Sequence, residues 1–172
     1  MTRPLHVVHG IERINRTGGG TSTFVVELAN TQAALPASHV SIITRDPESD
    51  PVPVDAAVRV RAARSGTAFG PALRALHAAD PIDVVHVHGL WRWSSHDLIS
   101  TARNLGVPVV LSTHGMLQRE ALRAKALKKR LALLLYQRRD LTRADMLHAT
   151  AEHEASRLRE FGLRQPIVVA PP

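Results

Sequence analysis

The chain has 172 residues, 44% of them hydrophobic, 22% charged and only 3% aromatic, with no cysteine and a formal net charge of +7. That length supports about one domain with a core of Val, Leu, Ile and Ala, and the composition excludes a disordered chain. The lack of cysteine excludes disulfides and thiolate metal sites and suits a reducing cytosol, so a cytoplasmic protein is expected. The apolar run near the N-terminus is too short for a signal peptide, and the run Leu131 to Tyr136 is far too short to span a bilayer.

In chain order, Leu5 to Val8 reads as a first strand. A polar loop follows and ends in Gly18, Gly19 and Gly20. Thr21, Ser22 and Thr23 are N-cap candidates, and Phe24, Val25, Leu28 and Ala29 repeat at helical spacing as far as about Leu35. Val40 to Thr44 is a second strand, Arg45 to Asp55 a proline-rich surface loop, and Val58 to Ala62 a weak third strand. Gly70-Pro71 opens a helix and Asp80-Pro81 closes it. Ile82 to Val87 is a fourth strand. Ser94 and Asp97 have capping-box spacing, Leu98, Ile99, Ala102 and Leu105 form one helical face, and Gly106 ends that helix. Val107 to Thr113 is a fifth strand and Met146 to Ala149 a sixth. Thr150 caps a helix with Glu152 and Glu154 in its first turn, Gly162 ends it, and Ile167 to Ala170 is a last strand.

Between the fifth and sixth strands lies the source of the charge. Gln118 to Arg143 holds nine basic side chains against Glu120 and Asp140, which accounts for the whole +7. All three lysines, Lys125, Lys128 and Lys129, fall there beside Arg123 and Arg130. The segment reads as one or two helices.

Strands alternating with helices predict an α/β fold with a doubly wound parallel sheet covered on both faces. In such a sheet ligands bind beyond the carboxyl ends of the strands, where the strand order reverses. The common order makes the first and fourth strands neighbours there, with the fifth beside the fourth. Three loops should therefore share one mouth: Gly18 to Gly20, then His88-Gly89-Leu90-Trp91, then His114-Gly115-Met116. Glycine amides next to a helix start favour a phosphate, histidine can bond a hydroxyl or take a proton, and tryptophan offers a flat face.

Plainer readings stand beside these. The glycine run can be a simple turn. His86, two residues before His88 on the same strand face, fits a satisfied core histidine, and His6, His9 and His148 look structural by position. His39, His77, His96 and His153 read as solvated. A dinucleotide fingerprint fails because Thr23 stands at the third spaced glycine, although Asp46 could mimic a ribose-binding acid. A metal hydrolase is suggested only by His86 and His88, with no nearby Asp-His to complete a dimetal motif and too short a chain for a barrel. Nucleic-acid binding would use the basic segment, but only Tyr136 is interleaved there, so no nucleic-acid partner is expected.

The stretches DVVHVHGLW, VPVVLSTHGML, ADMLHATAEHEASRLREFG and PIVVAPP, with the early TGGGTSTFVVELANTQAALPASHVSIITRD, resemble the N-terminal half of glycosyltransferase family 4, the retaining two-domain GT-B enzymes. The likeness runs from about Leu5 to Pro172. It implies one Rossmann-like acceptor-side domain over residues 1–172, half of a GT-B architecture, with the C-terminal donor-binding domain absent from this chain. The implied reaction moves a sugar from a nucleotide-diphosphate sugar to a hydroxyl acceptor in glycan or glycolipid biosynthesis, with no cofactor and no obligatory metal. By the same resemblance Gly18, Gly19 and Gly20 match the loop near the donor diphosphate and acceptor. His114 matches a catalytic histidine facing the transferred sugar. His88, Trp91 and Met116 match the acceptor rim. Glu154 matches the acid of a T-S-x-x-E helix start in which Ala151 replaces the serine and Glu152 intervenes.

Residues 1–172 alone are thus expected to lack transfer without the second domain. A stand-alone interaction domain pairing with a separate donor-binding subunit is the alternative. For the basic segment, Leu122, Ala126, Leu131, Leu134 and Leu135 at helical intervals admit two readings: leucines packed on the sheet, or a peripheral membrane surface in which Arg123, Lys125, Lys128, Lys129 and Arg130 meet anionic lipid.

Overall fold

The computed structural model describes residues 3–45, 50, 52–63 and 69–171. Asp46, much of the proline-rich loop and Pro172 lie outside the described residues. One sheet of seven parallel strands organises the chain. They are β1 (Leu5–Gly10), β2 (Ser38–Thr44), β3 (Val58–Ala62), β4 (Val84–His88), β5 (Val109–Ser112), β6 (Met146–Ala149) and β7 (Ile167–Val169), in spatial order β3-β2-β1-β4-β5-β6-β7. The expected reversal between the first and fourth strands is present: β1 pairs with β2 on one side and β4 on the other, with Gly10 opposite Val87.

The helices are α1 (Gly20–Ala33), α2 (Phe69–Ala79), α3 (Trp93–Asn104), α4 (Arg119–Arg123), α5 (Ala126–Ala132), α6 (Arg138–Arg143) and α7 (Glu152–Glu160), with a π-helical turn at Leu133–Gln137 between α5 and α6. Val25, Val26 and Ala29 of α1 pack with Val40, Ile42 and Val58 in one core cluster. A larger cluster joins Leu73 of α2, Leu98 and Ile99 of α3, Leu141 of α6 and Leu158 of α7 to Val8, Val85, Val87, Leu111 and Leu147. The pleat sorts each strand between these sides. In β4, Val85 and Val87 join the larger cluster while His86 and His88 face the other way. Gly10 lets α3 approach, because a Cβ there would overlap the Leu98 side chain.

Helix starts depart from the expected caps. α1 begins at Gly20 behind Gly19, with no side-chain cap. Ser22 instead donates its hydroxyl to Arg13 O at 2.8 Å. α3 begins at Trp93, and Ser94 donates to Glu12 Oε2 at 2.6 Å while Asp97 accepts the Gly70 N–H at 2.6 Å. α7 follows Ala151, not Thr150, yet Thr150 still serves its start by donating from N and Oγ1 to Glu154 Oε2 at 2.8 and 2.9 Å. For Ser22 and Ser94 an acceptor outside the helix competes successfully for the capping group, whereas Thr150 bonds within the first turn of α7.

The basic segment breaks at Lys125, which has φ 55°. Its leucines divide. Leu122 and Leu133 lie against the larger cluster, whereas Leu131, Leu134 and Leu135 are 57%, 84% and 70% exposed, so packing of all these leucines on the sheet is corrected. Leu127 is 82% exposed.

Gly10→Ala is expected to cost about 1–3 kcal/mol from the forced shift of Leu98. Urea unfolding measures it, and Leu98→Ala in the same chain should show a favourable coupling with Gly10→Ala. Strictly additive losses would contradict the close approach.

Candidate active site

The loops after β1, β4 and β5 meet at a cavity of about 280 Å³ at the carboxyl end of the sheet. Gly18, His88, Gly89 and Met116 line it together with Glu12 and Arg13. Gly19 and Gly20 lead from it into α1, and Trp91 and His114 stand on the segments that flank it.

Each loop is held by a specific bond. Glu12 receives Ser94 through Oε2 and pairs through Oε1 with Arg45 Nε at 2.8 Å. A Cβ at Gly18 would overlap the Ser22 hydroxyl, and Gly19 has φ 71° and ψ −161°, a region open essentially to glycine alone. After β4, Trp91 has φ 69°, and its N–H donates to Gln137 Oε1 at 2.8 Å. Lys129 Nζ lies 5.5 Å from the centroid of its ring. Trp91 Nε1 is buried without a hydrogen-bond partner among the described residues.

After β5 the chain makes a strained step, with His114 at φ 47°. The anchor is Glu154, 3% exposed, whose Oε1 accepts the Thr113 hydroxyl and the Gly115 N–H, both at 2.6 Å. Burial pushes this carboxyl up, but the bonds from Gly115, Thr113 and Thr150 outweigh it and hold the carboxyl below its usual range. Glu154 therefore positions the His114 turn.

Beneath the mouth lies a layer of histidines. His9 Nδ1 is 3.0 Å from His88 Nε2, and His88 Nδ1 is 3.1 Å from His114 Nε2. His9 Nε2 is 2.7 Å from Gln32 Oε1 on α1. His86 Nε2 is 2.7 Å from Ser112 Oγ, which is 2.6 Å from His148 Nδ1. Phe24 stacks on His148 at 5.8 Å and meets His114 edge-on at 5.5 Å. His6 and His86 are buried and bonded, as expected of core histidines. His9 is also buried, but it touches His88 and so joins the site.

Two solvated expectations are corrected. His96 Nδ1 sits 2.9 Å from Asp140 Oδ1, and His77 Nδ1 accepts the Ile82 N–H at 3.1 Å. Gln32, Ser112, Gln137 and Asp140 carried no sequence signal, since each acts through a partner at least 23 residues away.

Burial, against the Gln32 bond, pushes His9 down to about 4. Burial, against Glu154, pushes His114 down to about 4. Burial and neighbouring imidazoles hold His86 and His88 well below the usual range. Unfolded histidines titrate near ~6.5, so between that pH and about 4 the unfolded chain binds more protons. Stability should be full above pH ~6.5 and fall as the pH drops, by roughly 1.4 kcal/mol per pH unit for each such histidine. Urea midpoints taken from neutral to mildly acid pH measure this, and a flat profile would refute the buried neutral layer.

Residues 19–172 match the glycosyl transferase 4-like domain. None of the curated proteins matches the chain. Sucrose-phosphate synthase from Thermosynechococcus elongatus is similar in structure, with a TM-score of 0.74 at 18% identity over 97% of this chain and 48% of that one. S. aureus MnaA, solved with UDP, is similar at a TM-score of 0.59 and 13% identity over 96% of this chain and 43% of that one. The chain thus spans about half the length of these structures, and what it shares with them is a Rossmann-like fold, one half of a GT-B architecture. With the match extending over nearly all of its length, the chain belongs to the glycosyl transferase 4-like domain family.

Proposed function

We propose that the chain is the acceptor-side half of a retaining glycosyltransferase that moves a sugar from a nucleotide-diphosphate sugar to an acceptor hydroxyl. The observation that carries the reading is the single cavity into which Gly18, His88 and Met116 converge in a chain of this family. The uncapped start of α1 offers backbone amides and the positive end of a helix dipole to a diphosphate. His114 faces the transferred sugar, and His88, Trp91 and Met116 form the acceptor rim. The donor is a substrate, and the reaction uses no resident cofactor or metal. MnaA, of the same fold, is a protein solved with UDP, which supports a nucleotide-sugar donor.

A GT-B site is a cleft between two halves, so apart from the glycine loop most of the donor pocket belongs to the other half. Paired with a donor-binding half, in one chain or as a separate subunit, the protein should release nucleotide only when acceptor is present. His114→Asn, which tolerates the left-handed backbone, should lower kcat by about 10²-fold or more with little change in donor KM. Residues 1–172 alone should show no turnover. Brisk transfer by that fragment, or full activity of His114→Asn, would defeat the reading.

The acceptor is proposed to be reached at the cytoplasmic face of a membrane. Exposed Leu127, Leu131, Leu134 and Leu135 stand among exposed Arg123, Lys125, Lys128 and Arg130. Apolar side chains dip into the interface while cations meet anionic headgroups. Lys129 is half-buried and turned over Trp91, so it serves the rim instead of the lipid-facing surface. Flotation on phosphatidylserine vesicles at low salt should retain the protein, high salt should release it, and Leu134→Ser with Leu135→Ser should abolish retention. No retention of the native chain would remove the membrane surface.

A further inference from the structure

The histidine layer has a direction that its end groups determine. The Gln32 amide oxygen 2.7 Å from His9 Nε2 can only accept, so His9 carries its proton on Nε2. A neutral imidazole has one donor and one acceptor nitrogen. His9 Nδ1 is then an acceptor, and His88 Nε2, 3.0 Å away, donates to it. His88 Nδ1 becomes an acceptor in turn, and His114 Nε2, 3.1 Å away, donates to it. The far nitrogen, His114 Nδ1, is left with a lone pair. It makes no hydrogen bond among the described residues, and it is not among the atoms sealed from solvent without a partner. Burial keeps the array neutral, with His9 and His114 pushed down to about 4 and His88 well below its usual range, so the alternation holds through neutral pH.

We infer that Gln32, His9 and His88 form a tautomer lock that holds His114 with its proton on Nε2, so that His114 Nδ1 meets the cleft as a hydrogen-bond acceptor selecting a hydroxyl of the ligand. Gln32 and His9 are positioning residues; only His114 and His88 reach the ligand. The lock is a property of this chain whatever its reaction, and its use rests on the transferase reading above. Because a hydroxyl donates into the Nδ1 lone pair, a ligand lacking that hydroxyl forfeits the bond.

A metal site on the same rings is the competing reading, since one nitrogen each of His9, His86 and His88 lies within 4.8 Å of the others. The bond between His9 and His88 already occupies one nitrogen of each. A dication there would also be buried with no carboxylate in that ligand set, which is costly.

Long-range nitrogen–proton NMR of the histidine-labelled protein reads the tautomers directly. The expected result is the Nε2–H pattern for His9, His88 and His114, unchanged from mildly acid to mildly alkaline pH. His6 supplies an internal reference of opposite sign: its Nδ1 is 3.2 Å from the Asp80 carbonyl and its Nε2 is 3.0 Å from Ser41 Oγ, so it should show Nδ1–H. Gln32→Leu removes the terminal acceptor and should leave His114 as a tautomer mixture while His6 stays unchanged, which reports an intact fold. Gln32→Glu keeps an acceptor oxygen and should restore the lock. In the transfer assay, Gln32→Leu should lower kcat several-fold at constant donor KM, with recovery in Gln32→Glu.

An Nδ1–H pattern on His114, the chain run in reverse from a rotated Gln32 amide, overturns the lock. So does one equivalent of transition metal retained by the purified protein. A His114 mixture in Gln32→Leu with unchanged kcat overturns the catalytic use. If no sugar transfer is found at all, the transferase reading fails while the spectrum still decides the lock.

Discussion

The pairing of β1 with β2 on one side and β4 on the other is the constraint from which the site follows. After β1 the chain passes to β2 and β3, and after β4 it passes to β5, β6 and β7 on the opposite side. Parallel strands joined by right-handed crossovers send every following loop to the same end of the sheet. Where the two directions part, the loops after β1 and β4 diverge and leave a crevice. Gly10 tightens it. With no side chain there, Leu98 brings α3 down, and the start of α3 can then supply Ser94 to Glu12. The mouth is therefore bounded by elements whose spacing is set by core packing.

That rigid surround supports strain at the mouth. Trp91 and His114 both adopt positive φ, a conformation that side chains other than glycine rarely hold. Each is held by a remote buried group: Gln137 accepts the Trp91 N–H, and Glu154 accepts the Gly115 N–H beside His114. Both anchors are almost fully buried, so the bonds face little competition from water. The acid at the start of α7 thus acts by shaping a loop more than 30 residues earlier in the chain.

Much of the architecture was legible in the sequence because it rests on local signals. The apolar runs fixed the strands, and alternation with helices fixed their parallel order and the meeting of His88, Gly18 and Met116. The two-residue step from His86 to His88 correctly placed both rings on one face of β4. What it could not reveal was the register that sets His88 opposite Ser112 and Ser112 opposite His148. Cross-strand partners depend on how separate runs align, and no run encodes that alone. Ser22 and Ser94 failed as ordinary caps for a related reason: Arg13 O and Glu12 lie outside their helices and reach them only through the fold, whereas Thr150 bonds Glu154 four residues on, within the start of α7 itself.

The basic segment reads differently once its ties to the mouth are considered. An amphipathic helix that only covered the sheet would turn its leucines inward, as Leu122 and Leu133 do. Leu127, Leu131, Leu134 and Leu135 face outward instead, at a cost in exposed apolar area that folding alone does not explain. The same segment also reaches the mouth through Gln137, which fixes the Trp91 backbone, and through Lys129, which lies over the Trp91 ring. Its outer face and the rim of the cavity are therefore parts of one element. Any surface that met the leucines would bear on a helix one end of which holds Trp91 in place, so that outer face and the geometry of the Trp91 turn are mechanically joined.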